Sequence, residues 1–296
     1  MPNFDRTIPT VISCGMYVAI ACDARATAVV TTAIGTDFLE IRTTVGDFRN
    51  SIALGGGPKG VGGGPFTDGF RNINWDAVST AVSDPNLLPG NFFNNNSPRG
   101  LFMSTPGAGF LLSAPEVNPT NTPVRYGSLD PSYPNQFTVF SEERLFIALG
   151  STITDNRFFV PSSPTTGASI FGFGVIFTDV DMLGSTALEF FDLNNQSLGR
   201  FNAPVQDRGL SFLGVSFNAG ERVGSVRITA GNAALGAGVI DGGGVDVVAM
   251  DDFMYSEPQA IVPEASAGPL IFLGLGSLAG LRRRGAAVKS LSGSMR

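Results

Sequence analysis

The stretch Val223-Gly224-Ser225-Val226-Arg227-Ile228-Thr229 sets Val223, Ser225, Arg227 and Thr229 against Gly224, Val226 and Ile228. A period of two is what a half-buried β-strand demands, because successive side chains leave the backbone on opposite faces. Outward from this stretch the same texture recurs: short runs rich in Phe, Val, Ile and Leu, closed off by Gly, Pro, Asn or Asp. Such runs fall at 170–178, 186–192, 197–201, 210–217 and 245–255 in the second half. In the first half they fall at 37–42, 100–104, 109–113, 144–149 and 157–160. Residues 75–82 read as a short helix with Asn74 as its cap. Strands at this spacing predict an all-β fold, an antiparallel β-sandwich of jelly-roll type. Long loops are expected across the first half. Residues 55–65 are dominated by glycine and read as flexible, 83–99 hold Pro85, Pro89 and Pro98, and 115–135 carry five further prolines.

Composition narrows the chemistry. The 296 residues include no histidine, two cysteines and a net charge of −6. A chain without histidine has no Ser-His-Asp triad, Cys-His dyad or His-ligated zinc. Residues 8–21 form an apolar stretch followed by the triplets Ala24-Arg25-Ala26 and Ala26-Thr27-Ala28, so residues 1–28 read as a secretory signal with a hydrophobic helix. Its removal would take Cys14 and Cys22 with it and leave 29–258 as a thiol-free sandwich domain.

The other end is tripartite. Pro263-Glu264 precede an apolar run from Gly268 to Leu281, which Arg282-Arg283-Arg284 end abruptly. Counted back to Ala260, this is long enough for a transmembrane helix, and the arginines belong on its cytoplasmic side. Residues 265–296 carry five basic residues and no acid, so the −6 divides into +5 for the tail and −11 for the rest. An acidic body argues against nucleic acid as a partner.

The order of these parts in 259–296 resembles the PEP-CTERM sorting signal of Gram-negative bacteria, with Ala265 where that family usually has a second proline. The stretch Gly172 to Tyr255 also resembles a module common in such proteins, through Gly172-Phe173-Gly174-Val175, Phe177-Thr178-Asp179-Val180-Asp181, Phe190-Phe191-Asp192, Leu198-Gly199 and Met250-Asp251-Asp252-Phe253-Met254-Tyr255. The resemblance implies an exported protein, transiently anchored in the inner membrane, processed by an exosortase-like enzyme and delivered to the cell envelope or extracellular matrix. It also implies a β-sandwich similar to carbohydrate-binding jelly rolls and an association with extracellular polysaccharide.

Oxygen ligands dominate the remaining chemistry. Asp179 and Asp181 lie two apart and share a strand face, while Asp251 and Asp252 end the last strand; Asp241 and Asp246 flank the preceding glycine loop. Carboxylates at strand ends suit Ca²⁺, which takes six to eight oxygens in irregular loops, and the expected ligands are Asp179, Asp181, Asp251 and Asp252. Solvated turn acids are the competing account. Asp192-Leu193-Asn194-Asn195-Gln196 reads as a hairpin turn and not as a calcium loop. The Gly-rich loop around Lys59 does not match a phosphate-binding loop. For a sugar, Trp75 beside Asn72, Asn74 and Asp76 is the expected site, because an exposed indole stacks on pyranose faces. The function expected is therefore a non-catalytic structural or binding role at the cell surface. The alternatives are a carbohydrate-active enzyme using paired carboxylates and a calcium-stabilised adhesin.

Overall fold

A computed structural model describes residues 27–261. Its strands are β1 (Ala28–Gly35), β2 (Phe70–Ile73), β3 (Leu87–Leu88), β4 (Leu101–Ser104), β5 (Gly109–Leu112), β6 (Phe146–Leu149), β7 (Ile153–Val160), β8 (Ser163–Ser169), β9 (Gly172–Val180), β10 (Ala187–Asp192), β11 (Ser197–Asn202), β12 (Gln206–Phe217), β13 (Val223–Thr229), β14 (Ala249–Ser256) and β15 (Gln259–Ala260). They form two antiparallel sheets. One runs β1-β12-β9-β14-β6-β5-β3, with β2 also paired to β14. The other runs β11-β10-β13-β7-β8-β15, with β4 also paired to β7. The signal segment, Cys14 and Cys22, and the sorting residues Pro263, Glu264, Arg282, Arg283 and Arg284 lie outside the described residues, apart from the last two positions of the signal reading.

The alternation in β13 works as its spacing requires. Val226 and Ile228 are buried while Arg227 is exposed and pairs with Asp155 of the neighbouring β7 at 2.7 Å. Val223 is buried too, because the β10–β13 register shifts by a bulge beside it. Between the sheets, Phe173, Val175 and Phe177 of β9 meet Phe190 of β10, Val226 and Ile228 of β13, and Phe253 and Tyr255 of β14.

The run 37–42 reads as a strand, but the structure has a helix, α1 (Phe38–Ser51). The reason is local. Asp37 Oδ1 accepts from the N–H groups of Leu39 (2.8 Å) and Glu40 (3.3 Å), and Glu40 reaches back to the Thr36 N–H at 2.7 Å. Ile41, Val45 and Phe48 then recur at helical spacing and are buried, with Ile52 just beyond. α1 covers the outer face of the first sheet. There Gly174 and Gly214 stand directly opposite each other in β9 and β12. A Cβ at Gly174 would approach the Phe48 ring to 2.8 Å, and one at Gly214 to 2.7 Å. The missing side chains are the space the ring occupies.

The expected helix at 75–82 is also corrected. Trp75 has φ of 65°, outside the helical region, and only Thr80–Val82 form a helical turn, of the 3₁₀ kind. The Gly-rich stretch 55–65, expected to be flexible, is tied down. Arg71 is fully buried, pairs bidentately with Glu257 (2.6 and 2.8 Å), and donates from Nη1 to the carbonyls of Gly60 and Gly62, the latter at 3.0 Å. At the margins, Ala28 and Gln259–Ala260 belong to the sheets, so the sandwich extends slightly beyond 29–258. Among the described residues, no helix is long and apolar enough to cross a membrane.

Candidate functional site

The carboxylates collect in two places. The first lies where β9 ends. Asp179, Asp181 and Asp241 each bring a carboxylate oxygen within 4.8 Å of the others. Asp179 is fully buried with φ of 69°, and its oxygens accept from the Arg208 N–H at 2.8 Å and the Gln136 side-chain amide at 2.5 Å. Asp241 accepts from the Val247 N–H at 3.2 Å. Asp181 Oδ1 is buried with no hydrogen-bond partner. Among the described residues, no ion pair neutralises any of the three.

The electrostatic result follows from burial without a counter-charge. Desolvation pushes the Asp179 carboxyl up to about 6, against the donors from Arg208 and Gln136. Desolvation, a hydrogen bond with Asp241 and the charges of Asp179, Asp241 and Asp207 push Asp181 up to about 8. Protons held between these carboxylates, or a hard cation in place of those protons, would each relieve the repulsion. Asp246, which follows Asp241 across the glycine loop, does something else: it is buried and accepts from the N–H groups of Asp181 (3.1 Å) and Met182 (3.3 Å), fixing the turn after β9.

The second place is beneath the loop 138–145. Ser141 Oγ lies 2.9 Å from Asp252 Oδ1, 3.0 Å from Asp251 Oδ1, 3.1 Å from Asp76 Oδ2 and 3.3 Å from the Asn74 carbonyl. A hydroxyl has one proton to give, so it satisfies only one of these four acceptors at a time. Burial and the neighbouring Asp252 charge hold Asp251 well above the ordinary carboxylate range. Burial also raises Asp252, opposed chiefly by Arg49, whose Nη2 sits 2.7 Å from Asp252 Oδ2 and 2.9 Å from Asn72 Oδ1. Asp251 Oδ2 further accepts from the Phe140 N–H at 2.7 Å. Asp76 Oδ1 accepts from the N–H groups of Glu143 and Arg144, at 3.1 and 3.2 Å.

The four acids expected to share a metal therefore divide. Asp179 and Asp181 are joined by Asp241, which in sequence only flanks the glycine loop. Asp251 and Asp252 bind the 138–145 loop and α1 to β14. Their adjacency in sequence put both into β14, yet which cluster each joins depends on the opposing elements. Nothing local in the sequence tied Asp241 to Asp179.

The expected sugar platform is corrected more sharply. Trp75 is 1% exposed. Its ring stacks on Phe146 at 4.4 Å with planes 4° apart, meets Phe93 and Phe253 edge-on, and its Nε1–H donates to the Asp251 carbonyl at 2.7 Å. Both faces are covered, so the indole cannot stack on a ligand. Its neighbours differ from it. Asn74 is exposed and, with Asp76, lines an open cleft of about 590 Å³ together with Phe38, Phe140 and Glu142. Phe38 is 40% exposed and packs against Phe140 at 4.9 Å. Asn72 lies behind the cleft on Arg49. The cleft's aromatic wall was hidden from sequence reading because Phe38 opens α1 and is separated by about a hundred residues from Phe140.

Comparison of the sequence with protein-family models and with curated proteins finds no match.

Proposed function

We propose that this chain is an exported, envelope-sorted β-sandwich of jelly-roll type with a non-catalytic structural or binding role at the cell surface or in extracellular polysaccharide. The observation that carries this reading is the state of the clustered carboxylates Asp76, Asp251 and Asp252, of which Asp76 lines the polar cleft. Asp76, Asp251 and Asp252 spend their oxygens on the N–H groups of Phe140, Glu143 and Arg144, on Ser141 and on Arg49. A glycosidase pair needs one acid and one base turned to a sugar from opposite sides; these acids are turned to the protein. The chain's repeated passage between sheets, β8 to β9 to β10 and β11 to β12 to β13 to β14, supports the jelly-roll topology.

The binding surface in this reading is the cleft of Phe38, Asn74, Asp76 and Glu142. Phe38, 40% exposed between Phe140 and the Arg42 guanidinium, stands beside amide and carboxylate groups, a combination suited to a saccharide. Binding of the purified protein to soluble extracellular polysaccharides, read by titration calorimetry, tests it. Phe38→Ala and Asn74→Ala should each weaken binding at least severalfold with the fold intact. Hydrolysis of the polymer that is lost on a single Asp or Glu substitution would instead establish the enzyme reading.

A Ca²⁺ ion at Asp179, Asp181 and Asp241 is the cofactor part of the same proposal. The donor set is all oxygen and hard, as Ca²⁺ requires, and Asp181 Oδ1 is a buried oxygen with nothing to accept from. Added Ca²⁺ should raise the melting temperature of the wild-type protein and leave that of Asp181→Asn unchanged. Equal melting of the wild type in Ca²⁺ and in chelator would remove the ion from the proposal.

A further inference from the structure

Strand β1 starts at Ala28, which pairs with Phe217 and packs against the core between the sheets. One residue earlier, the Thr27 N–H donates to Glu221 Oε1 at 2.8 Å, while Glu221 Oε2 accepts from the Ala219 N–H at 2.9 Å. Glu221 thus sits in the turn from β12 to β13 and fastens the entry of β1. Among the described residues, no lysine or arginine forms an ion pair with it. Its neighbour Arg222 turns the other way, donating to Ser169 Oγ and to the Ala260 carbonyl, each at 2.9 Å. Partial burial pushes the Glu221 carboxyl up, but the N–H groups of its own residue, Thr27 and Ala219 outweigh this and hold it below its ordinary value. The result is a carboxylate with amide donors and, among the described residues, no cation.

Immediately upstream, Ala24-Arg25-Ala26 and Ala26-Thr27-Ala28 overlap as two small-x-small triplets, each fit for a signal peptidase. The register of β1 separates them. Cutting after Ala28 removes the Ala28–Phe217 pair and the Thr27–Glu221 bond. Cutting after Ala26 keeps both, and turns the Thr27 amide nitrogen into an ammonium beside the Glu221 carboxylate.

We propose that the chain is hydrolysed between Ala26 and Thr27, and that Glu221 holds the new α-ammonium of Thr27. Water adds across the Ala26–Thr27 amide: Ala26 departs as a carboxylate, and the Thr27 amine takes up a proton. The hydrolysing agent is a membrane-bound peptidase selective for small residues one and three positions before the cut. This rests on the export reading and sharpens it to one bond. A charge-assisted pair in place of an amide donor strengthens the anchoring of β1 only after processing.

The test is N-terminal sequencing of the full-length chain recovered from the envelope of an exporting Gram-negative host. Mature protein beginning at Thr27 is the expected result, and Ala24→Phe, which spoils only the upstream triplet, should abolish that terminus. Mature protein beginning at Val29 would overturn the proposed bond while leaving export standing. Retention of Met1 would overturn both. For the Glu221 partner, the α-amino group of the mature protein should titrate above the free range of about 7.7–8.0 and return to it in Glu221→Gln. An unchanged titration in that variant would overturn the pairing.

Discussion

Trp75 shows how a single side chain can look like a ligand platform and serve as a keystone. It holds a positive φ that costs an ordinary residue energy, and it persists because Phe146, Phe93 and Phe253 enclose the ring and Asp251 takes its N–H. Trp75→Ala should therefore lower stability by about 3–5 kcal/mol, measured by urea unfolding. Asp181 belongs to the same scale and has the opposite character. In the unfolded chain it and Asp179 titrate near 3.8, while in the fold they reach about 8 and about 6. Between those values the native state holds more protons than the unfolded one, so stability without added metal should fall as pH rises from about 4 to about 8. Asp181→Asn keeps the shape without the charge and should flatten that fall, as read from melting temperatures across the pH series. A pH-independent melting temperature in the wild type would contradict the raised carboxyls.

Among the elements, α1 is the informative one. Its N-terminus rests on Asp37, and Asp37→Ala should cost about 1 kcal/mol through two lost hydrogen bonds at the helix start. Its face rests on the glycine pair of β9 and β12. Gly174→Val should be much worse than the Asp37 change, because a branched side chain would enter the volume of the Phe48 ring. The helix also carries Arg49 to Asp252 and Phe38 to the cleft, so loosening it disturbs the proposed binding surface as well as the core. Hydrogen exchange along α1 in the two variants distinguishes fraying of the first turn from loss of the whole helix.

At the scale of the molecule, one core joins both sheets, and a buried ion pair closes its side. Arg71 in β2 and Glu257 after β14 are both removed from water, and Arg71 also gathers the Gly60 and Gly62 carbonyls. Glu257→Gln leaves the guanidinium buried and uncompensated, at a cost of about 3–5 kcal/mol, and should render 55–65 sensitive to proteolysis. Trp75 lies in the inter-sheet core as the chain's one tryptophan. Its fluorescence and the far-ultraviolet signal of the sheets should thus report one coincident unfolding transition; separated transitions would show that the sheets unfold apart.

The strands of the second half were legible because alternation, aromatic content and turn residues are local and agree with one another. β13 and the hairpin from β10 to β11 show this: Asp192 accepts from the N–H groups of Asn194 and Gln196 at 2.8 Å, closing the turn its side chain suggests. The 37–42 segment misled because its apolar residues fit two periods over six positions, and the deciding spacing only emerges at Val45, Phe48 and Ile52. The site was legible in kind and not in membership. Composition and local pattern alone specify an acidic, histidine-free, largely β chain whose chemistry rests on carboxylate and amide oxygens. Only contacts between distant elements settle which carboxylates meet, that Asp241 joins Asp179 and Asp181, and that Trp75 is enclosed while Phe38 is exposed. The division is physical: strand periodicity and capping act over a few residues, whereas charge clusters and exposed faces form between strands that are distant in the chain and adjacent in space.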